Sequence, residues 1–142
     1  MIEMGGNGAS LKRQPWEATE RTLSEHKRYV EILRSDQYPD YNTYQLPNLS
    51  IVNDFNEGYQ VTFWQIGDNY TPSEYARICN EFLKYAVDHV THAGKFENTP
   101  EISFRFLNKR MAMRLARKYN QISIWDWGNG DEISTGGTGR RR

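Results

Sequence analysis

Between Ile102 and Trp125 the chain carries six bases and no acid: Arg105, Lys109, Arg110, Arg114, Arg117 and Lys118. Such groups bind oxyanions, and a guanidinium does so best because its forked donors engage two oxygens of a phosphate together. Arg110, Arg114 and Arg117 are spaced i, i+4, i+7, which puts them on one narrow strip of a helix. Asn108 is the residue type that caps a helix start, and the pattern runs from there to about Tyr119. Arg110 falls in the first turn, where the helix dipole favours an anion and opposes a cation. The missing acids also deny the strip its i, i+4 ion pairs. Two readings stay open: a solvated face against which the acidic first helix leans, or a site for a bound anion.

Rings complete a nucleotide site when one of them offers a flat apolar surface to a base. Trp64, Trp125 and Trp127 fall in strand-like segments, and Tyr75 and Phe82 in the apolar stripe of a helix-like one; for any single ring a place in the core outweighs one at a ligand. The candidate ligand-binding set is Arg110, Arg114, Arg117, Arg105 and Asn108, with Phe82 and Trp125 as rings.

Other constellations are weaker. Asp88, His89 and His92 have no third and fourth partner at zinc spacing, so a helix-end pair is expected and no metal. Cys79, the single cysteine, lies in an apolar stripe and reads as a small core residue. GGNG and GGTG lack the strand–loop–helix frame of a phosphate-binding loop, so no cofactor is expected. Asp126, Asp131 and Glu132 cluster near the last hairpin, as candidate partners for arginines across the sheet. No nucleophile–base pattern is legible, and the expectation is a binder, not an enzyme.

The elements that must position these residues follow from periodicity. A helix is predicted over residues 15–35, with Leu23, Val30 and Leu33 on one face. QYPDYNTYQLPN, broken by two prolines, reads as an aromatic loop. LSIVNDF and YQVTFWQI read as two strands of a hairpin. TPSEYARICNEFLKYAVDHV opens on a capping box, Thr71 with Glu74, and predicts a helix stopped by Gly94. EISFRFL alternates Ile102, Phe104 and Phe106 against Glu101, Ser103 and Arg105, and QISIWDW alternates Ile122 and Ile124 against Trp125 and Trp127. A short strand near Glu132–Ser134 closes the order α, β-β, α, β, α, β-β. The fold class is α+β: a largely antiparallel sheet with helices on one face, as a single domain over residues 15–135. Residues 1–14 and 136–142, Gly-rich and without apolar periodicity, read as flexible tails.

The 142 residues sum to zero formal charge, against a dedicated nucleic-acid partner. No apolar run approaches a membrane span, and MIEMGGNGAS lacks the order of a secretory signal. A lone cysteine suits a reducing cytosol.

GYQVTF, YTPSEYARICNEF, PEISFRF and NQISIWDW, followed by a Gly-rich tail, resemble the Thoeris anti-defence sponge proteins encoded by phages, over about residues 58–135. The resemblance implies a non-enzymatic protein in the host cytoplasm. It would sequester a nucleotide immune signal of the cyclic ADP-ribose type, related sponges being associated with cyclic oligonucleotides. It also implies a homo-oligomer with pockets between subunits, an arginine pair one helical turn apart, matched here by Arg110 and Arg114, and a ring at Phe82. These are strand-and-helix phrases and no decisive motif accompanies them, so ligand identity stays open. A small nucleic-acid or protein-interaction module using the basic strip is the alternative.

Overall fold

Strand-period alternation builds the sheet, and helix-period stripes cover it. The computed structural model describes residues 17–65 and 68–139; the expectations for residues 1–14, for Pro15 and for Arg140–Arg142 lie outside them. The strands are β1 (Asn42–Gln45), β2 (Ser50–Val52), β3 (Tyr59–Gln65), β4 (His92–Phe96), β5 (Thr99–Phe106), β6 (Ser123–Asp126) and β7 (Asp131–Ser134). They form one curled sheet in the order β2-β1-β4-β5-β3-β6-β7, and every neighbouring pair is antiparallel. Helices α1 (Thr22–Leu33), α2 (Pro72–Tyr85) and α3 (Lys109–Lys118) pack on one face. The architecture is the α+β domain that the alternation predicts. No helix among the described residues is long and apolar enough to cross a membrane.

The core lies between the helices and the two central strands. Ile102, Phe104 and Phe106 of β5 and Val61 and Phe63 of β3 are fully buried. A bulge between Thr62 and Trp64 inserts one residue, so Phe63 and Trp64 both face the helices. Their rings meet Tyr75, and Phe63 also meets Phe82 at 5.2 Å between centroids. The capping box forms: Thr71 Oγ1 accepts from the Glu74 amide at 3.1 Å, and the Glu74 carboxylate accepts from the Thr71 amide at 3.4 Å.

Several elements differ from expectation. β1 lies inside the stretch read as a loop; the prolines sit outside it, and Tyr44 is buried while Gln45 is exposed. With β1 present, β2 pairs with it and not with β3, so the expected hairpin does not form. Residues 53–58 instead cross from the sheet's edge to its centre, ending at Gly58, whose φ of +97° a side chain would strain. The first helix begins at Thr22 and ends at Leu33, within the expected span. The second ends at Tyr85, not near Val90: Ala86 turns extended, and His89 Nδ1 donates to the Leu83 carbonyl at 2.9 Å, occupying a helix-end acceptor. Gly94 is therefore no helix stop but the middle of β4. Gly136–Gly139, expected to be tail, is held down: Asn120 Nδ2 donates to Thr138 Oγ1 at 2.6 Å, and the Gly139 amide donates to the Asn120 carbonyl at 2.8 Å.

Candidate functional site

The sheet separates the predicted site residues into two places. On α3, Ala112, Leu115 and Ala116 are buried against the sheet. At about 100° per residue, Arg110, Arg114 and Arg117 fall within about 60° of one another, directly opposite that buried side. All three are exposed, and they face away from the sheet. Arg117 is steadied by its Nε, which donates to the Thr135 carbonyl at 3.3 Å. Asn108 caps the helix, its Oδ1 accepting from the Met111 amide at 2.9 Å. Its side chain is committed to the fold. The first helix does not lean on this strip, since α1 packs on α2, β4 and β5, nor is it acidic, its Glu25 and Glu31 being matched by Lys27 and Arg28.

Phe82 corrects the expectation of a ligand ring. It is fully buried and meets Phe63, Phe104, Phe106 and Tyr119. Burying such a ring contributes on the order of 1.5–3 kcal/mol to the core, and no face of it is left for a ligand.

Arg105 and Trp125 lie on the other side, on the open face of the sheet. They flank Gln60 in one row, because Gln60 pairs with both. Arg105 turns down over the crossing loop: its Nη1 donates to the Glu57 carbonyl at 2.8 Å, and its guanidinium stacks 3.8 Å from the Phe55 ring centre. Among the described residues its buried Nε has no hydrogen-bond partner. Trp125 is 37 % exposed and meets Trp127 edge-on at 6.3 Å.

That open face is a trough of about 1280 Å³, floored by polar residues. Pockets for single small molecules run to roughly 300–1,000 Å³, so the trough admits a longer occupant. Its floor comes from the polar positions of the alternating strands: Gln60 and Thr62 of β3, Glu101 and Ser103 of β5, and Gly94 of β4. Trp125 and Trp127 stand at one side, and Tyr41 and Phe96, 4.9 Å apart edge to face, at the other.

Hydrogen bonds fix the floor. Gln60 Nε2 donates to Ser103 Oγ at 3.0 Å and to His92 Nδ1 at 3.3 Å, and Gln60 Oε1 accepts from Trp127 Nε1 at 3.0 Å. With Nδ1 accepting, His92 is neutral and carries its proton on Nε2. Burial, and then the charge of Arg105, hold its pKa down at about 4. Thr62 donates its hydroxyl to the Glu101 carboxylate. Burial nevertheless pushes Glu101 up to about 7, against the hydrogen bonds from Thr62 and Gln65. Near neutral pH this carboxyl exists in both forms, and the floor both donates and accepts. The acidic side chains of the lining are Glu97, Glu101 and Glu132; of the bases beside them, Lys95 is engaged by the Ser35 and Tyr38 carbonyls and Arg105 by the Glu57 carbonyl and the Phe55 ring. Sugar and base edges meet both donors and acceptors on this floor.

The remaining candidates resolve simply. His89 lies past the end of α2 and bonds back to it, while His92 is buried in β4, so the two are no surface pair. No metal-holding group of three or more ligands occurs among the described residues. Cys79 is buried, with its thiol pushed up to about 12 by burial. Asp126 pairs with no arginine among the described residues; it accepts from the amides of Gly128 and Asn129 and from Asn129 Nδ2, closing its own turn.

Sequence reasoning did not assign Gln60, Thr62, Gly94, Glu101 or Ser103 to a site. The signal was present, since Glu101, Ser103 and Arg105 were already set on the face opposite the phenylalanines. In comparisons with known proteins, the chain matches no family model, no curated protein and no solved structure.

Proposed function

We propose that this protein is a binding protein that holds an extended, ring-bearing polar ligand in the sheet trough and releases it unchanged. The observation that carries the reading is the floor of Gln60, Thr62, Glu101 and Ser103 flanked by Trp125 and Trp127. Donors and acceptors below and flat rings beside them suit bases and sugars. A nucleotide immune signal of the cyclic ADP-ribose or cyclic oligonucleotide type carries such groups, and the resemblance of the strand phrases points to that class. Its selectivity then resides in base and sugar recognition and not in the arginines of α3, which lie across the sheet. The same reading has the protein act in the host cytoplasm as a homo-oligomer, with exposed Ile122 and Trp125 beside the trough available to a second copy.

Calorimetric titration with cyclic ADP-ribose isomers and cyclic oligonucleotides tests this. Gly94→Leu is the decisive variant: a Cβ there meets only ordinary contacts, Asn42 O at 3.5 Å and Glu101 Cγ at 3.6 Å, while the longer chain fills the trough. Wild-type heat, its loss in Gly94→Leu, and recovery of intact ligand after heating are expected. No heat from folded protein with any of these ligands, or an unaffected Gly94→Leu, overturns the reading.

One observation favours turnover instead. A carboxyl near 7 beside the Thr62 hydroxyl is what acid–base chemistry uses. A changed mass in the released ligand would move the assignment from capture to catalysis.

A further inference from the structure

The trough leaves the basic outer face of α3 without a task. Lys109, Arg110, Arg114 and Arg117 are exposed on α3. Among the described residues the ion pairs are Arg34 with Glu31 and Lys118 with Glu81, so none of these four is paired with a carboxylate. Neither neighbouring helix supplies an acid: Glu81 of α2 is taken by Lys118 and by the Tyr119 hydroxyl. Two bases in the first turn oppose the helix dipole, and no acid of the helix offsets them.

We infer that the outer face of α3 is a binding surface for the phosphate backbone of duplex nucleic acid, read without regard to sequence. Zero net charge is a sum over the whole chain and does not oppose this, because α3 itself holds only bases, while acids such as Glu97, Glu101 and Glu132 lie on the trough side of the sheet. The three arginines follow a line along the helix, rising about 6 Å and then about 4.5 Å. Their planar forks match phosphate oxygens ranked along a backbone. Arg117 is already held through its Nε, so its two terminal nitrogens are presented with less freedom to lose. A membrane surface fits less well: Lys109, Arg110, Arg114, Arg117 and Lys118 are the exposed residues of α3, and none is an apolar group to enter a bilayer. No ring lies among them either, which disfavours single strands held by stacking.

Fluorescence anisotropy of a labelled mixed-sequence DNA duplex with the full chain tests the inference, with salt varied from about 50 to about 200 mM. Three phosphate contacts predict a slope of log affinity against log salt of about −3. Arg110→Gln/Arg114→Gln should flatten it to about −1 and weaken binding at least about tenfold at the lowest salt. Both positions are exposed, and removing the first-turn cation Arg110 favours the helix, so the variant is expected to fold. Lys27→Gln, an exposed base on α1, should keep the wild-type slope. No duplex binding at the lowest salt overturns the inference. So do equal binding to a polyglutamate peptide, binding only to phosphatidylserine vesicles, and an unchanged slope in the double variant, which would assign binding elsewhere. None of these outcomes bears on the trough, whose test is the Gly94→Leu titration.

Discussion

Glu101 and His26 show at the scale of single residues how burial sets charge. Glu101 titrates near 7 when folded against an ordinary value of 4.5. Between those pH values the folded chain binds the proton that the unfolded chain has released. The contribution is therefore fully present below about pH 4.5 and is lost as pH rises through 7. Glu101→Gln should remove that loss. At pH 8.5 it should be more stable than the wild type by roughly 1–3 kcal/mol in urea denaturation, and near pH 4 about equal to it. His26 works in the opposite direction. It is buried beside Tyr75, and burial lowers its pKa to about 3 from 6.5. The unfolded chain takes up that proton first, so stability falls as pH drops from about 6.5 towards 3, and His92 adds to the fall. Tyr75→Phe leaves the buried His26 Nδ1 without its partner and should cost about 1–3 kcal/mol at pH 7. Neither shift was legible in the sequence, because burial of a polar group is decided by strands and helices distant along the chain.

The elements divide by how local their causes are. Helix α2 was legible because its cap, stripe and first-turn proline lie within one window. Helix α3 was legible for the same reason, and its charge pattern makes a separable prediction. Arg110→Glu places an acid in the first turn, where the dipole favours it, and should raise thermal stability by about 0.3–1 kcal/mol at low salt. The same change should abolish duplex binding, so a calorimetric melting scan and the anisotropy titration move in opposite directions. Asn108→Ala, which removes the cap, should instead destabilise by about 0.5–2 kcal/mol. β1 and β4 were not legible. Each is short, and β4 carries His92, Gly94 and Lys95, types that strand patterns avoid. Lys95 is buried there because its Nζ donates to the Ser35 and Tyr38 carbonyls at 3.1 and 2.9 Å, just past α1. Only the packing of a helix end on the sheet supplies those acceptors.

At the scale of the whole molecule, one sheet with helices on one side produces two unlike surfaces. The covered side ends outward in the arginines of α3; the bare side is a polar trough with carboxyl groups. A ligand small enough to lie in the trough touches none of the three arginines. Gly94→Leu and Arg110→Gln/Arg114→Gln should therefore be additive and independent, each erasing one binding activity and sparing the other, in parallel titrations of all four combinations. By itself the sequence determined the fold class, the caps and stripes of α2 and α3, the core rings of β3 and β5, and the strip of uncompensated bases. These follow from dihedral preference and periodicity over a few residues. Tertiary structure alone decided that β1 and not β3 partners β2, and that Gln60, Thr62, Glu101 and Ser103 meet on one floor. Those outcomes depend on which strands become neighbours, and strand pairing is a long-range choice set by the burial of all faces together.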